Sequence, residues 1–327
     1  MTAGLPPAAR SILDGGRFCY VAVPTPDGPH VTPVVYVLSG GRIWVTTARS
    51  SVKARSWRRD ARAAGLVVLG GRAVTFRGTV RTFDALDPLS WPAAVAFAPR
   101  IARAATRFTL KNARFFAGYA VDARRVPLAW TPPGRVFAEL RLDAGRVLFE
   151  GGILEAWGEW MGGTQYRSSF ARLPDSRGID GKVPPAVRDA VGTSGVGALA
   201  TDAGGCVTVL PVRWRRVGSE GSYDATLPAS VLDLARVEEN ARSGLAVDRA
   251  SRWRASAMTG MLLRGEAQVF SLPATRRGRR GLAERLGSQP DGNESLVRIR
   301  PGRVVWWSGW RTGTVTREGS AVREDRR

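Results

Sequence analysis

The chain is poor in the residues that build cross-links, metal clusters and histidine-based active sites. Its 327 residues include two cysteines, Cys19 and Cys206, and a single histidine, His30. Two cysteines, each in or beside an early strand of its own half of the chain, make no disulfide framework or thiolate cluster and read as small buried hydrophobes. One histidine excludes a His-based metal centre, and no metal is expected. A Ser-His-Asp triad would have to use His30, and no G-x-S-x-G elbow accompanies it. Long apolar runs are also missing: Phe18 to Val23 and Leu66 to Leu69 are too short to cross a bilayer. Met1 to Pro6 lacks the basic and apolar regions of a secretory signal. The expectation is a cytoplasmic protein without a membrane partner.

Acidic residues are outnumbered, 28 against 49 Lys and Arg, for a formal charge of +21. A basic surface gains affinity for polyanions by releasing counterions. Here the arginines run along the whole chain, lysine occurs only at Lys53, Lys111 and Lys182, and no helix-turn-helix, zinc-finger or aromatic RNA-binding signature accompanies them. This composition fits GC-rich coding, and nucleic acid is not the expected partner. The positive field would still draw in an anionic cofactor or small-molecule substrate.

What the chain does have is an internal repeat. Trp44-Val45-Thr46-Thr47, Ser51-Val52-Lys53 and Gly65-Leu66-Val67-Val68 recur as Tyr223-Asp224-Ala225-Thr226, Ser230-Val231-Leu232 and Gly244-Leu245-Ala246-Val247, at a constant displacement of 179. The closing segment Leu140 to Val147 recurs as Val297 to Val304, displaced by 157. In the first copy, β-rich runs at 18–23, 30–38 and 42–47 are separated by Pro26-Asp27-Gly28-Pro29 and Ser39-Gly40-Gly41, which are turn signals. A helix should follow, capped by Ser50 or Ser51, with Val52, Trp57 and Ala61 inward and Gly65 as its stop. Strands return at 66–69 and 73–83, and an Ala-rich helical region at 87–119 carries an aromatic stripe suited to helix packing.

These signals predict a mainly β protein with α (α+β). Repeat one spans 8–155 and repeat two 183–316. Residues 156–182 form a linker whose aromatics should lie against the surface. The tail 317–327 has little to bury and is expected to be disordered.

The ordered combination Gly28-Pro29-His30-Val31-Thr32-Pro33-Val34-Val35-Tyr36, Thr46-Thr47-Ala48-Arg49-Ser50-Ser51-Val52-Lys53-Ala54-Arg55 and Arg58-Arg59-Asp60-Ala61-Arg62 resembles the FMN-binding split-barrel superfamily. That superfamily includes pyridoxamine 5'-phosphate oxidase and the flavin or deazaflavin reductases. The resemblance is clearest over 14–83 and weaker over 193–270 with 296–310. It implies two tandem split β-barrels forming a pseudo-dimer, with helices between strands and a cofactor groove at their interface. The implied cofactor is FMN or coenzyme F420, with haem a more distant option, and the implied activity is hydride transfer to or from a small molecule.

The residues agree with this. A helix start offers unpaired N–H groups and the positive end of a dipole, so Ser50, Ser51, Lys53 and Arg55 make a phosphate clamp. Backbone from Thr32, Pro33 and Val34 and from Thr46 and Thr47 would meet the ring edge, and Trp307 and Trp310 would supply an opposing aromatic wall. The 179 displacement turns Lys53 into Leu232 and Arg55 into Leu234, so the second copy is expected to hold no phosphate. No catalytic acid stands out; His30 would titrate near neutrality but is also a common kind of structural residue. The Arg-Leu-x-Pro substrate signature of the oxidase itself is missing. The rival to an enzyme is a non-catalytic split-barrel sensor or carrier of flavin or haem.

Overall fold

A computed structural model describes residues 4–121, 134–160, 179–203, 205–217, 221–235, 242–249, 254–270 and 294–317. The first half opens with helix α1 (Pro7–Gly15) and strands β1 (Phe18–Val23), β2 (His30–Ser39) and β3 (Arg42–Ala48). Helix α2 (Val52–Trp57) leads to β4 (Arg62–Leu69) and β5 (Arg72–Phe83). Helices α3 (Trp91–Ala96), α4 (Ala98–Lys111) and α5 (Ala113–Val121) precede β6 (Arg135–Phe149) and β7 (Gly152–Trp157). The second half repeats the plan with α6 (Pro185–Val191), β8 (Ser194–Ala203), β9 (Cys206–Val217), β10 (Ser222–Pro228), α7 (Ala229–Leu232), β11 (Arg242–Arg249), β12 (Thr259–Phe270), β13 (Glu294–Ser308) and β14 (Arg311–Thr316).

Each half is an antiparallel sheet closed on itself. The strand order β3-β2-β1-β4-β5-β6-β7 is joined by a β3–β6 pairing, and β10-β9-β8-β11-β12-β13-β14 by β10–β13. Six strands therefore close each barrel, which removes the open edges, and the seventh hangs on the sixth. The two split barrels expected from the sequence are present.

The strand registers correct the displacement between the copies. Both barrels carry a bulge at the same place, between Arg77 and Gly78 and between Arg264 and Gly265. Followed through the ladders from these bulges, Val67 matches Val247, Cys19 matches Gly197, Val34 matches Val212 and Val45 matches Ala225. The displacement is thus 180 at Val67 to Val247 but 178 at Cys19 to Gly197, and 159 at Val147 to Trp306 on the closing strand. A slip of one residue moves a side chain to the other face of a sheet. Gly65 accordingly lies under the Phe76 ring inside its own barrel, whereas Gly244, 179 positions on, faces Pro29 and Val31 of the other barrel.

The helix after β3 is shorter than the sequence suggests. It ends at Trp57, because Asp60 folds back to accept from the Arg62 amide at 2.9 Å and from the Arg62 guanidinium at 2.7 Å, turning the chain into β4. Ala61 and Gly65 are therefore not helical; Gly65 is a strand residue.

α1 covers one end of the first barrel through Ala9, Ile12 and Leu13, and the Tyr36 hydroxyl donates to the Leu13 carbonyl at 2.7 Å. The aromatic stripe of the helical region packs on the outer face of β2 and β3: Phe108 meets Phe137, and Phe97 meets Phe83, which stacks on Trp44. Between the barrels, Ala22, Val31, Ala64 and Leu66 join one apolar cluster with residues of the second barrel. Hydrogen bonds cross the same interface from Tyr20 to Asp248 (2.8 Å) and from Thr75 to the Val209 carbonyl (2.6 Å). No described helix is long and apolar enough to cross a membrane.

Candidate functional site

The residues singled out in the first copy divide between two places. Thr32 pairs with Val21 and Val34 with Cys19, which puts both on the inner face of the barrel, while Pro33 pairs with Tyr20 on the face turned to the second barrel. Ser51 caps α2: its hydroxyl accepts from the Ala54 amide at 3.1 Å and from Thr47 Oγ1 at 3.0 Å. Two ion pairs fix this corner from behind, since Arg49 and Arg58 both pair with the buried Asp84, at 2.7 and 3.4 Å.

Lys53 is placed differently from the expectation. Instead of projecting from the first turn beside Arg55, it is buried, and its ammonium donates to Thr32 Oγ1 at the inner mouth of the barrel. Ser50 and Arg55 stay exposed. Spacing along a six-residue helix explains the split: residues two apart project in different directions, so Lys53 and Arg55 cannot share a face. Thr46 is already engaged, with Arg135 donating to its hydroxyl at 2.8 Å and to its carbonyl at 2.9 Å. Arg135 gave no signal in the sequence, because its partner lies 89 positions away.

The electrostatics of this mouth are unbalanced. Burial lowers the Lys53 ammonium from 10.5 to about 7, opposed only by the nearby Cys19. Burial, with Lys53, Arg264 and Arg55 adding to it, holds His30 well below its ordinary range, so the near-neutral titration expected of it does not hold. Its Nδ1 is buried and makes no hydrogen bond among the described residues. Burial also pushes the Cys19 thiol up to about 12, keeping it protonated. Among the described residues no carboxylate pairs with Lys53. A buried cation left without a partner is costly, and an anion placed beside it removes that cost.

The second barrel reaches this mouth through Arg264, which sits at the bulge of β12 and donates to the Gly28 carbonyl at 2.7 Å and to the Thr25 hydroxyl. Arg242 donates to the Pro26 carbonyl at 2.9 Å, and Arg303 pairs with Asp27 at 2.6 Å. Trp307 lies over Gly260 beside Asp248, and Asp248 accepts from Tyr20, the neighbour of Pro33. Trp307 and Pro33 thus border one interface region. Its neighbour Trp306 points into its own barrel and is buried. Trp310 sits beyond, in the β13–β14 turn, whose Gly309 packs on Ser256.

The equivalent mouth of the second barrel is built without these groups. By register His30 becomes Thr208 and Thr32 becomes Leu210. Strand β10 runs straight into α7, with no loop corresponding to Arg49–Ser51, and Leu232 and Leu234 are buried in the core. Glu238 and Glu239, which stand 179 positions on from Arg59 and Asp60, lie outside the described residues. Trp160 lies beside this mouth, donating to the Leu234 carbonyl at 2.9 Å, with the Arg77 guanidinium 4.2 Å from the centroid of the indole ring. Ser230 donates to the Gly151 carbonyl at 2.6 Å. Trp157, also assigned to the linker, ends β7 and covers Gly145. Met161, Tyr166 and Phe170 lie outside the described residues.

A protein-family model for pyridoxamine 5'-phosphate oxidase matches residues 7–102, which contain β1–β5 and α2. No curated protein matches the sequence. Among solved structures, the chain is similar to the conserved hypothetical protein Rv2991 of Mycobacterium tuberculosis, at 21% identity over 44% of this chain and 85% of that one, with a TM-score of 0.32. It is similar to a FAD-binding protein of Mesorhizobium loti at 15% identity over 44% and 94% of the two chains, TM-score 0.32. An F420 reductase is matched at 19% identity over 43% and 98%, TM-score 0.28. The match to the family model thus falls within the first barrel and the helical region that follows it, and the second barrel repeats the first one's strand order.

Proposed function

We propose that the first barrel binds the anionic part of a flavin or deazaflavin, FMN or coenzyme F420, and that the chain is an oxidoreductase acting on a small molecule. The observation that carries this is Lys53, an ammonium buried at the barrel mouth with no carboxylate partner among the described residues, within the segment that matches the family model. Such a cofactor, when bound, supplies hydride transfer, and the protein supplies position and electrostatics. The residues present fit it: Lys53 meets an anion as a charge, the Ser51-capped turn offers amide donors, and exposed Arg55 adds a second cation.

The chain's own residues then have separate tasks. Lys53 takes up a proton as an anion arrives, because its lowered affinity for protons comes from burial without a counter-charge. Pro33, Tyr20 and Trp307 bound the apolar wall between the barrels and exclude water there. Haem is the poorer fit, since the sole histidine is buried beside Lys53, Arg55 and Arg264. A carrier without turnover would share the binding site and differ only in lacking hydride transfer.

Absorbance titration with FMN and with reduced and oxidised coenzyme F420 tests the reading. Saturable binding that Lys53→Met weakens about ten- to a hundredfold supports it; equal affinity in both proteins, or no binding by either, overturns it.

A further inference from the structure

The helical region between β5 and β6 leaves a set of apolar side chains in solvent that its packing role does not require. Leu89 is 91% exposed, Val95 75%, and Leu86 and Trp91 are about half exposed, all within ten residues. They belong to the turn before α3 and to α3 itself, where Trp91 and Val95 are four apart and share one face. On α4 the inner face is Ala104 and Phe108, and the opposite side presents Arg103, Arg107 and Leu110, the last 71% exposed. From 86 to 121 there is one acidic residue, Asp87, against five basic ones.

We propose that this α3–α4 edge docks on the surface of an anionic lipid bilayer. Apolar tips, one of them a tryptophan, flanked by arginines on a short helical element are what an interfacial segment needs: the tips enter the acyl boundary while the cations meet head groups. The charge balance decides against the other occupants. A second copy of this chain would bring another +21 to the contact and be repelled. A nucleic acid would match the arginines but leave Leu89 and Val95 without an apolar partner. The sequence expectation of no membrane partner rested on the lack of a spanning run, and surface docking needs none.

Flotation of the full chain with phosphatidylglycerol vesicles and with phosphatidylcholine vesicles tests this. Binding to the anionic vesicles alone is expected. Arg103→Glu with Arg107→Glu should weaken it at least about fivefold per arginine, and Leu89→Ser with Val95→Ser should weaken it to a similar extent. These side chains are exposed, so both variants should keep the parent's thermal unfolding midpoint. No binding to either vesicle overturns the proposal. So does binding that the Leu89/Val95 variant leaves unchanged, which would assign it to overall charge. Concentration-dependent self-association lost in that same variant, or tighter association with a duplex oligonucleotide than with vesicles, would assign the edge to a different partner.

Discussion

Arg77 and Arg264 hold the same bulge position in the two barrels, and each sends its guanidinium across the interface to the start of the other barrel's second strand. Arg77 reaches the Thr208 hydroxyl and Arg264 the Gly28 carbonyl. This reciprocal pair relates the two barrels as equivalent halves of one chain. What differs is the destination: beyond Arg77 lies Trp160, and beyond Arg264 lie His30 and Lys53, which has no carboxylate partner among the described residues.

Removing the Lys53 charge should help the ligand-free protein and harm binding. Its folded value of about 7 lies below the ordinary 10.5, so between those values the unfolded chain holds more protons and stability rises with pH. Lys53→Met should flatten that rise and raise the unfolding midpoint at neutral pH. Cofactor affinity should fall about ten- to a hundredfold, the worth of one hydrogen-bonded charge. Chemical denaturation from pH 7 to 10 and a binding titration check the two halves separately.

The Tyr20–Asp248 contact gives the barrel interface an opposite pH dependence. Burial raises Asp248 from 3.8 to about 6 against the Tyr20 hydrogen bond, so between pH 4 and 6 the folded state binds the extra proton and stability falls as pH rises. Asp248→Asn should abolish this slope. Tyr20→Phe leaves the carboxylate without its donor and should cost about 1–3 kcal/mol above pH 6, less below pH 4. Urea unfolding across this range measures both.

Trp160 should be a plug rather than a ligand contact. Trp160→Ala removes the Leu234 hydrogen bond and the stacking on Arg77, for a loss of about 1–3 kcal/mol. It should not create a second cofactor site, since Leu232 and Leu234 remain buried there. Calorimetric unfolding and ligand stoichiometry on the same variant test this.

The bulge glycines should be equally intolerant in the two copies. A Cβ on Gly78 would stand 1.8 Å from the Arg141 carbonyl oxygen, and one on Gly265 2.0 Å from that of Arg300. Backbone cannot step aside as a side chain can, so each Gly→Ala should cost at least about 1–3 kcal/mol. Melting of the two variants is the check.

The barrels were legible because turn signals and β-rich runs are local: β1, β2, β3 and β5 start and stop within a residue or so of their sequence positions. The end of α2 was not, because it depends on the Asp60 side chain bonding Arg62 rather than on helix periodicity. The repeat was visible, but its register was not. Matching Gly65 to Gly244 keeps residue identity and loses the face, which only the bulges and ladders reveal. At the site, Lys53, Thr32 and Ser51, chosen from the sequence, meet at one corner of the first barrel. That Lys53 turns inward, that Arg135 engages Thr46 and that Arg264 arrives from the second barrel are long-range facts with no local pattern.

The central claim is one working groove per chain, built around Lys53. Its most direct test is the cofactor-to-chain ratio at saturation, measured by calorimetric titration of FMN or coenzyme F420 into the wild-type chain and into Lys53→Met. One equivalent bound, at about ten- to a hundredfold weaker affinity in the variant, is the predicted result. Two equivalents per chain, or one equivalent retained at unchanged affinity without the lysine, would contradict it.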